Sequence, residues 1–150
     1  IASEGNWEPG PKFLAQSYAK YYSCLDCIEG ERNIQGFFMA YLNLCNYYIT
    51  APELELNHGF CDFFLLPNLA HYAVKHSYII ELKVLPKKDF SALCEDRKTT
   101  KAEAQWNEAV AQIHRYAEAP RVKALRQDTL LHKIVMQFEG WELKKIEEVE

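Results

Sequence analysis

Apolar residues recur at helical spacing from Pro11 to about Cys27, with Phe13, Leu14, Tyr18, Tyr21, Tyr22 and Leu25 on one stripe. Gly30 breaks the pattern. A second helical stripe follows over Glu31 to Tyr48 (Ile34, Phe37, Phe38, Tyr41, Leu42, Cys45). The period then shortens to two. Ile49 to Leu56, Phe60 to Leu66 and Ser77 to Leu85 read as strands, separated by Asn57-His58-Gly59 and by a polar connection after Pro67-Asn68. Short turns make these three an antiparallel meander. Pro86-Lys87-Lys88 stops the third strand. A long helix is expected from Leu93 to about Ala119, buried through Trp106, Ala109, Val110, Ile113 and Tyr116, with Glu95 to Lys101 as a polar, mobile entry. Pro120 ends it, and Leu125 to Asp128 is a connector. Leu130 to Phe138 and Trp141 to about Val149 close the chain as strands. The order α-α-β-β-β-α-β-β describes a mixed α/β chain (α+β, with a mixed sheet).

One strand violates its own pattern. Tyr78 to Val84 is apolar enough to be buried, yet Glu81 and Lys83 stand in it two residues apart, hence on one face. Charges in such a segment are costly unless they meet a partner or a metal. Asp62 opens the preceding strand after Gly-Phe-Cys. If the two strands pair, two carboxylates and an ammonium converge. Paired carboxylates suit a hard cation such as Mg²⁺ (or Mn²⁺), and a neighbouring lysine can orient a water or steady developing charge.

Asp62 followed by Glu81-x-Lys83 resembles the PD-(D/E)xK nuclease superfamily, the restriction-endonuclease-like phosphodiesterases. Glu53 with Gly59 resembles the E…G-x-x-D lead-in of one branch, and AVAQIHRYAEA (Ala109 to Ala119) resembles its A-x-x-Q-I-x-x-Y helix. QGFFMAYLN and LHKIVMQFEGW look like the same branch, found at the C-terminus of bacterial proteins that carry an AAA-ATPase-like domain. Cys61 stands where the superfamily's name has proline.

The resemblance implies a restriction-endonuclease-like αβββαβ core, with an extra N-terminal helix and a C-terminal strand. The strand after the long helix should lie beside the Glu81 strand. Residues 1–30 would be lead-in and helix, and 31–150 the nuclease-like domain, in one compact unit. It implies Asp62, Glu81 and Glu53 as metal ligands, joined by a main-chain carbonyl near Leu82. Glu55 shares a face with Glu53, and the spacing to Asp62 selects Glu53. Asp62, Glu81, Lys83 and Gln112 form the catalytic set, with Lys83 orienting or helping to deprotonate water. Glu31, Tyr116 and His58 complete the candidates: Glu31 as a ligand or as a charge on the helix dipole, Tyr116 as packing or contact, His58 as a turn residue near substrate.

Composition changes this picture little. At 150 residues, 49% hydrophobic and 25% charged, the chain suffices for one domain with a real core. No apolar run approaches the ~20 residues that span a bilayer. The net charge of −4 does not advertise nucleic-acid binding, but Lys83 to Lys133 carries 11 basic against 7 acidic residues while the remainder carries 6 against 14. Cys24, Cys27, Cys45, Cys61 and Cys94 lack framework spacing, which suits a reduced, cytoplasmic protein. Cys24-x-x-Cys27 has no second half of a zinc site, the histidines (58, 71, 76, 114, 132) form no metal trio, and no Gly-rich phosphate loop is present. The opening Ile1 suits a piece of a longer protein.

The expectation is therefore a metal-dependent nuclease domain acting on DNA rather than RNA, as effector of an ATPase-containing parent. A homodimer is left open, and no membrane partner is expected. The competing reading is a catalytically silent nucleic-acid-docking or regulatory module for the same parent.

Overall fold

The computed structural model describes residues 4–22, 30–56 and 59–150. Two helices, α1 (Pro9–Tyr22) and α2 (Glu31–Leu42), precede the strands β1 (Tyr48–Leu56), β2 (Gly59–Pro67) and β3 (His76–Leu85). Helices α3 (Lys87–Ser91), α4 (Glu95–Ala117) and α5 (Pro120–Arg126) lead to β4 (Leu130–Glu139) and β5 (Glu142–Glu148).

The strands form one five-stranded sheet in the order β1-β2-β3-β4-β5. Neighbours run antiparallel except β3 and β4, which are parallel. Only a crossover can join parallel strands, and α3, α4 and α5 supply it. The αβββαβ order and the placement of the last long strand beside the Glu81 strand are as expected. This mixed sheet with helices is a restriction-endonuclease-like arrangement.

Each face of the sheet carries its own apolar cluster. Phe63, Tyr78, Ile80, Leu82, Ile134 and Met136 pack under Leu14 and Tyr18 of α1 and Ile34 and Phe38 of α2. On the other face Phe64, Ile79 and Val135 meet Trp106, Ala109, Ile113 and Tyr116 of α4 and Val122 of α5. Strands β3 and β4 are thus covered on both faces, which explains runs such as Tyr78-Ile79-Ile80 without alternation.

Several boundaries differ from the sequence pattern, each for a local reason. The first predicted helix is helical to Tyr22, and the rest of its stripe to Cys27, with Cys24 and Cys27, lies outside the described residues. The helix predicted to Tyr48 stops at Leu42, where the Asn43 N–H donates to the Met39 carbonyl and the Leu44 N–H to the Tyr41 carbonyl. Tyr48 belongs instead to β1, opposite Pro67, and its hydroxyl donates to the His76 carbonyl at 3.0 Å. The polar stretch from Glu95 to Lys101, expected to be mobile, is the first part of α4. Lys98 pairs with Glu95 at 2.8 Å, and the Thr99 and Thr100 hydroxyls donate to the Glu95 and Asp96 carbonyls. Glu95 and Asp96 also favour a helix N-terminus. The third strand stops before Pro86 as expected, the short helix α3 follows it, and α5 fills the stretch from Pro120 into the start of the expected connector. Pro120 shows why: the same ring that ends α4 presets the first turn of α5.

Candidate active site

The site lies where the sheet comes apart. Strands β2 and β3 pair only through Phe63–Ile80, Phe64–Ile79 and Leu65–Tyr78. Beyond Phe63 the ladder stops, and the Leu82 N–H donates instead to Asp62 Oδ2 at 2.6 Å. A carboxylate has taken over a strand's hydrogen bond. The β1–β2 ladder is irregular at the same level, since Pro52–Phe63 and Leu54–Cys61 pair but Glu53 and Asp62 do not. Glu53 has φ 48°, in the left-handed region that non-glycine residues seldom occupy. Alternation fails on both strands there. Ala51 and Leu54, and likewise Cys61 and Phe64, reach the same cluster although each pair is three residues apart.

Three other elements complete the wall. From α2, Gln35 Nε2 donates to Asp62 Oδ1 at 2.5 Å. From β3, Lys83 Nζ donates to Glu81 Oε1 at 2.8 Å. From α4, Gln112 Nε2 donates to the Tyr116 hydroxyl at 2.7 Å. A cleft of ≈ 380 Å³ is lined by Glu31, Arg32, Gln35, Glu53, Phe60, Asp62, Glu81, Lys83 and Gln112.

The electrostatics are those of anions short of cations. Asp62 is 7% exposed and Glu81 1%. Burial pushes the Asp62 carboxyl up to about 6; the Leu82 N–H opposes this and the charge of Glu31 adds to it. Burial pushes Glu81 up to about 7, helped by the charge of Asp62 and opposed by Lys83. Burial pulls the Lys83 ammonium down, but Glu81, Glu31 and Asp62 outweigh it and hold the proton more firmly than usual. Glu81 Oε2 is buried without a hydrogen-bond partner. A buried acceptor left empty is costly, and few native ones are.

The cleft therefore gathers the sequence candidates Asp62, Glu81, Lys83, Gln112, Glu53 and Glu31. Glu55 does not line it. Tyr116 is fully buried and holds Gln112 from below. His58 lies outside the described residues. Sequence reasoning missed Arg32, Gln35 and Phe60. The signal for Gln35 is its place one helical turn after Glu31, which puts both on one face of α2. A larger cleft of ≈ 560 Å³ lies between α3, α4 and the β4–β5 hairpin. Its lysines are already paired, Lys98 with Glu95 at 2.8 Å, Lys144 with Glu139 at 3.5 Å and Lys145 with Glu147 at 3.4 Å, and none of its carboxylates is buried, so the smaller cleft is the candidate.

The model of the PD-(D/E)XK nuclease superfamily matches residues 29–148. The chain belongs to that superfamily. No curated protein and no solved structure matches it. Asp62, Glu81 and Lys83 stand in the order the superfamily's name spells, which makes this a nuclease-type domain. Nucleases of the superfamily generally use divalent metals. The residues present fit such an ion in one respect: two buried carboxylates with raised proton affinity leave one oxygen unpartnered. Among the described residues no three His, Cys, Asp or Glu side chains gather as a metal-holding group, and Glu53 lines the cleft without making a third. No described helix is long and apolar enough to cross a membrane.

Proposed function

We propose that the chain is a metal-dependent phosphodiesterase that hydrolyses DNA. The reading is carried by the unpartnered Glu81 Oε2 beside Asp62 at the opening of the β2–β3 ladder. Asp62 and Glu81 would hold Mg²⁺ or Mn²⁺, with Glu53 and a main-chain carbonyl near Leu82 as further oxygen donors. When bound, such an ion polarises a phosphate and lowers the pKa of a bound water.

The protein's own groups do the rest. Lys83, fixed on Glu81 and firmly protonated, positions a water for in-line attack and offers positive charge to the phosphoryl oxygens. Gln35 and the Leu82 N–H lock the Asp62 carboxylate in one orientation. Tyr116 fixes Gln112 at the rim, where its amide can meet phosphate or water. Tyr116 thus positions rather than touches. Glu31 adds negative charge that draws a cation to Asp62.

The domain is a single compact unit over 31–150 with α1 packed on it, cytoplasmic, and the effector of a parent that carries an AAA-ATPase-like domain. The net charge of −4 favours a second reading, a silent docking module for that parent. Cleavage of plasmid and of single-stranded DNA with Mg²⁺ or Mn²⁺ separates them. Cleavage that EDTA abolishes, and that Glu81→Ala and Lys83→Ala both lose while folded, supports the nuclease. Equal cleavage by all three proteins refutes it, and no cleavage despite metal binding favours the docking module.

A further inference from the structure

Phe60 is out of place in the catalytic cleft. Of the described residues lining it, the others carry carboxylate, amide, guanidinium or ammonium groups, and Phe60 alone is apolar. Its ring is 59% exposed. It lies two residues before Asp62 on β2, paired with Glu55 of β1 at the sheet's edge. Exposed apolar residues are common on protein surfaces and need no explanation singly. Phe13, Tyr21 and Leu44, all more than half exposed, sit on or near the two N-terminal helices and line no wall of this cleft. Phe60 differs because it borders the groups that would act on a phosphodiester.

We propose that Phe60 is a stacking platform for an unpaired nucleobase next to the scissile phosphate, so that the preferred substrate is a single strand or a frayed end. The proposal rests on the nuclease reading of the cleft and specifies its substrate. In a duplex each base already stacks on its neighbours, and only an unpaired base offers a free π-face to a protein ring. Stacking on an aromatic side chain is tolerant of sequence and is a recurring device for holding single strands. A cleft of ≈ 380 Å³ falls in the size range of small-ligand sites, which suits a nucleotide. Arg32, exposed in the first turn of α2 and lining the same wall, supplies a cation for the flanking backbone. Phe60 and Arg32 together provide a base contact and a phosphate contact in the cleft that holds Asp62, Glu81 and Lys83.

The test measures binding separately from cleavage. Fluorescence anisotropy with a short labelled single strand, and with the same strand in a duplex, is recorded in Ca²⁺ for wild type, Phe60→Ala and Phe60→Trp. Cleavage of both substrates is then recorded in Mg²⁺. Phe60→Ala should weaken single-strand affinity about tenfold or more and leave duplex affinity within about twofold, while Phe60→Trp restores the single-strand value. At an exposed position both substitutions should leave the thermal unfolding curve unchanged. If Phe60→Ala binds the single strand as wild type does, or loses duplex and single-strand affinity equally, the stacking role is wrong even where cleavage proves the nuclease. If wild type cleaves nothing yet single-strand binding depends on Phe60, the stacking role stands and the nuclease reading falls.

Discussion

Strand β3 borders two polar clusters, one near its start and one toward its end. Near the start, His76 Nδ1 and His132 Nε2 are 2.8 Å apart, and His132 Nδ1 lies 2.6 Å from Glu148 Oε1. Trp7 Nε1 donates to the other Glu148 oxygen at 2.7 Å, and the Tyr78 ring stacks on His132 with centroids 4.8 Å apart. Both ring nitrogens of His132 and both Glu148 oxygens therefore have partners. Toward the end, Asp62 and Glu81 crowd each other, both hold protons too tightly, and one Glu81 oxygen has nothing to accept. Fully partnered networks rigidify a fold, whereas an unpartnered buried acceptor calls for an explanation such as a catalytic role or a bound ion. What marks the site is the unpartnered carboxylate oxygen beside a second buried carboxylate.

The comparison breaks most sharply through substitution on each side. Glu81→Ala or Lys83→Ala should lower cleavage by roughly 10²–10⁴-fold, the usual scale for a positioned acid–base group, with the fold intact by circular dichroism. His132→Leu should leave cleavage per folded molecule unchanged and lower stability by about 1–3 kcal/mol in urea unfolding, because His76 and Glu148 each lose a partner. The contrast fails if His132→Leu silences cleavage at full stability.

Much of the closed architecture was legible because it follows from periodicity. The strands and the long α4 came from alternation and length, whereas the placement of β4 beside β3 came from the family resemblance. Glu81 and Lys83 were legible as charges in an apolar strand, and Asp62 as their neighbour once the strands pair. What stayed hidden depends on three-dimensional contact. The left-handed Glu53 leaves no trace in a pattern of polar and apolar letters. The histidine cluster joins residues far apart in the chain, so scattered histidines concealed a network. Gly59 was noticed as part of a motif, but its reason is spatial: a Cβ there would run into the Tyr116 hydroxyl. Glycine on β2 and tyrosine on α4 are two halves of one contact.

A smaller effect separates the clusters by pH. Both site carboxyls have folded values, about 6 and about 7, above their ordinary 3.8 and 4.5. Protons therefore favour the fold. The pair's contribution is fully present below about pH 4 and is lost as pH rises through about 6 and 7. In EDTA, thermal stability should fall across that window, and Mg²⁺ should restore it more at pH 8 than at pH 5. Glu81→Gln should flatten the EDTA curve while abolishing cleavage. Superimposable pH curves for wild type and Glu81→Gln would remove the electrostatic half of the comparison.

The smallest expected effect probes how the open cluster is braced. Gly59→Ala places a methyl against Tyr116, the residue that holds Gln112, and should cost about 1–3 kcal/mol of stability by overpacking. Tyr116→Phe removes the hydroxyl that the methyl would meet and that Gln112 donates to. Alone it should lower cleavage several-fold through a mobile Gln112, with little change in unfolding. Combined with Gly59→Ala it should recover about 0.5–1 kcal/mol relative to the sum of the single variants, since contacting residues couple and distant ones do not. A double variant whose stability is merely additive would mean that β2 shifts away from α4 to admit the methyl. The glycine would then serve the turn into β2 and not the seating of Gln112.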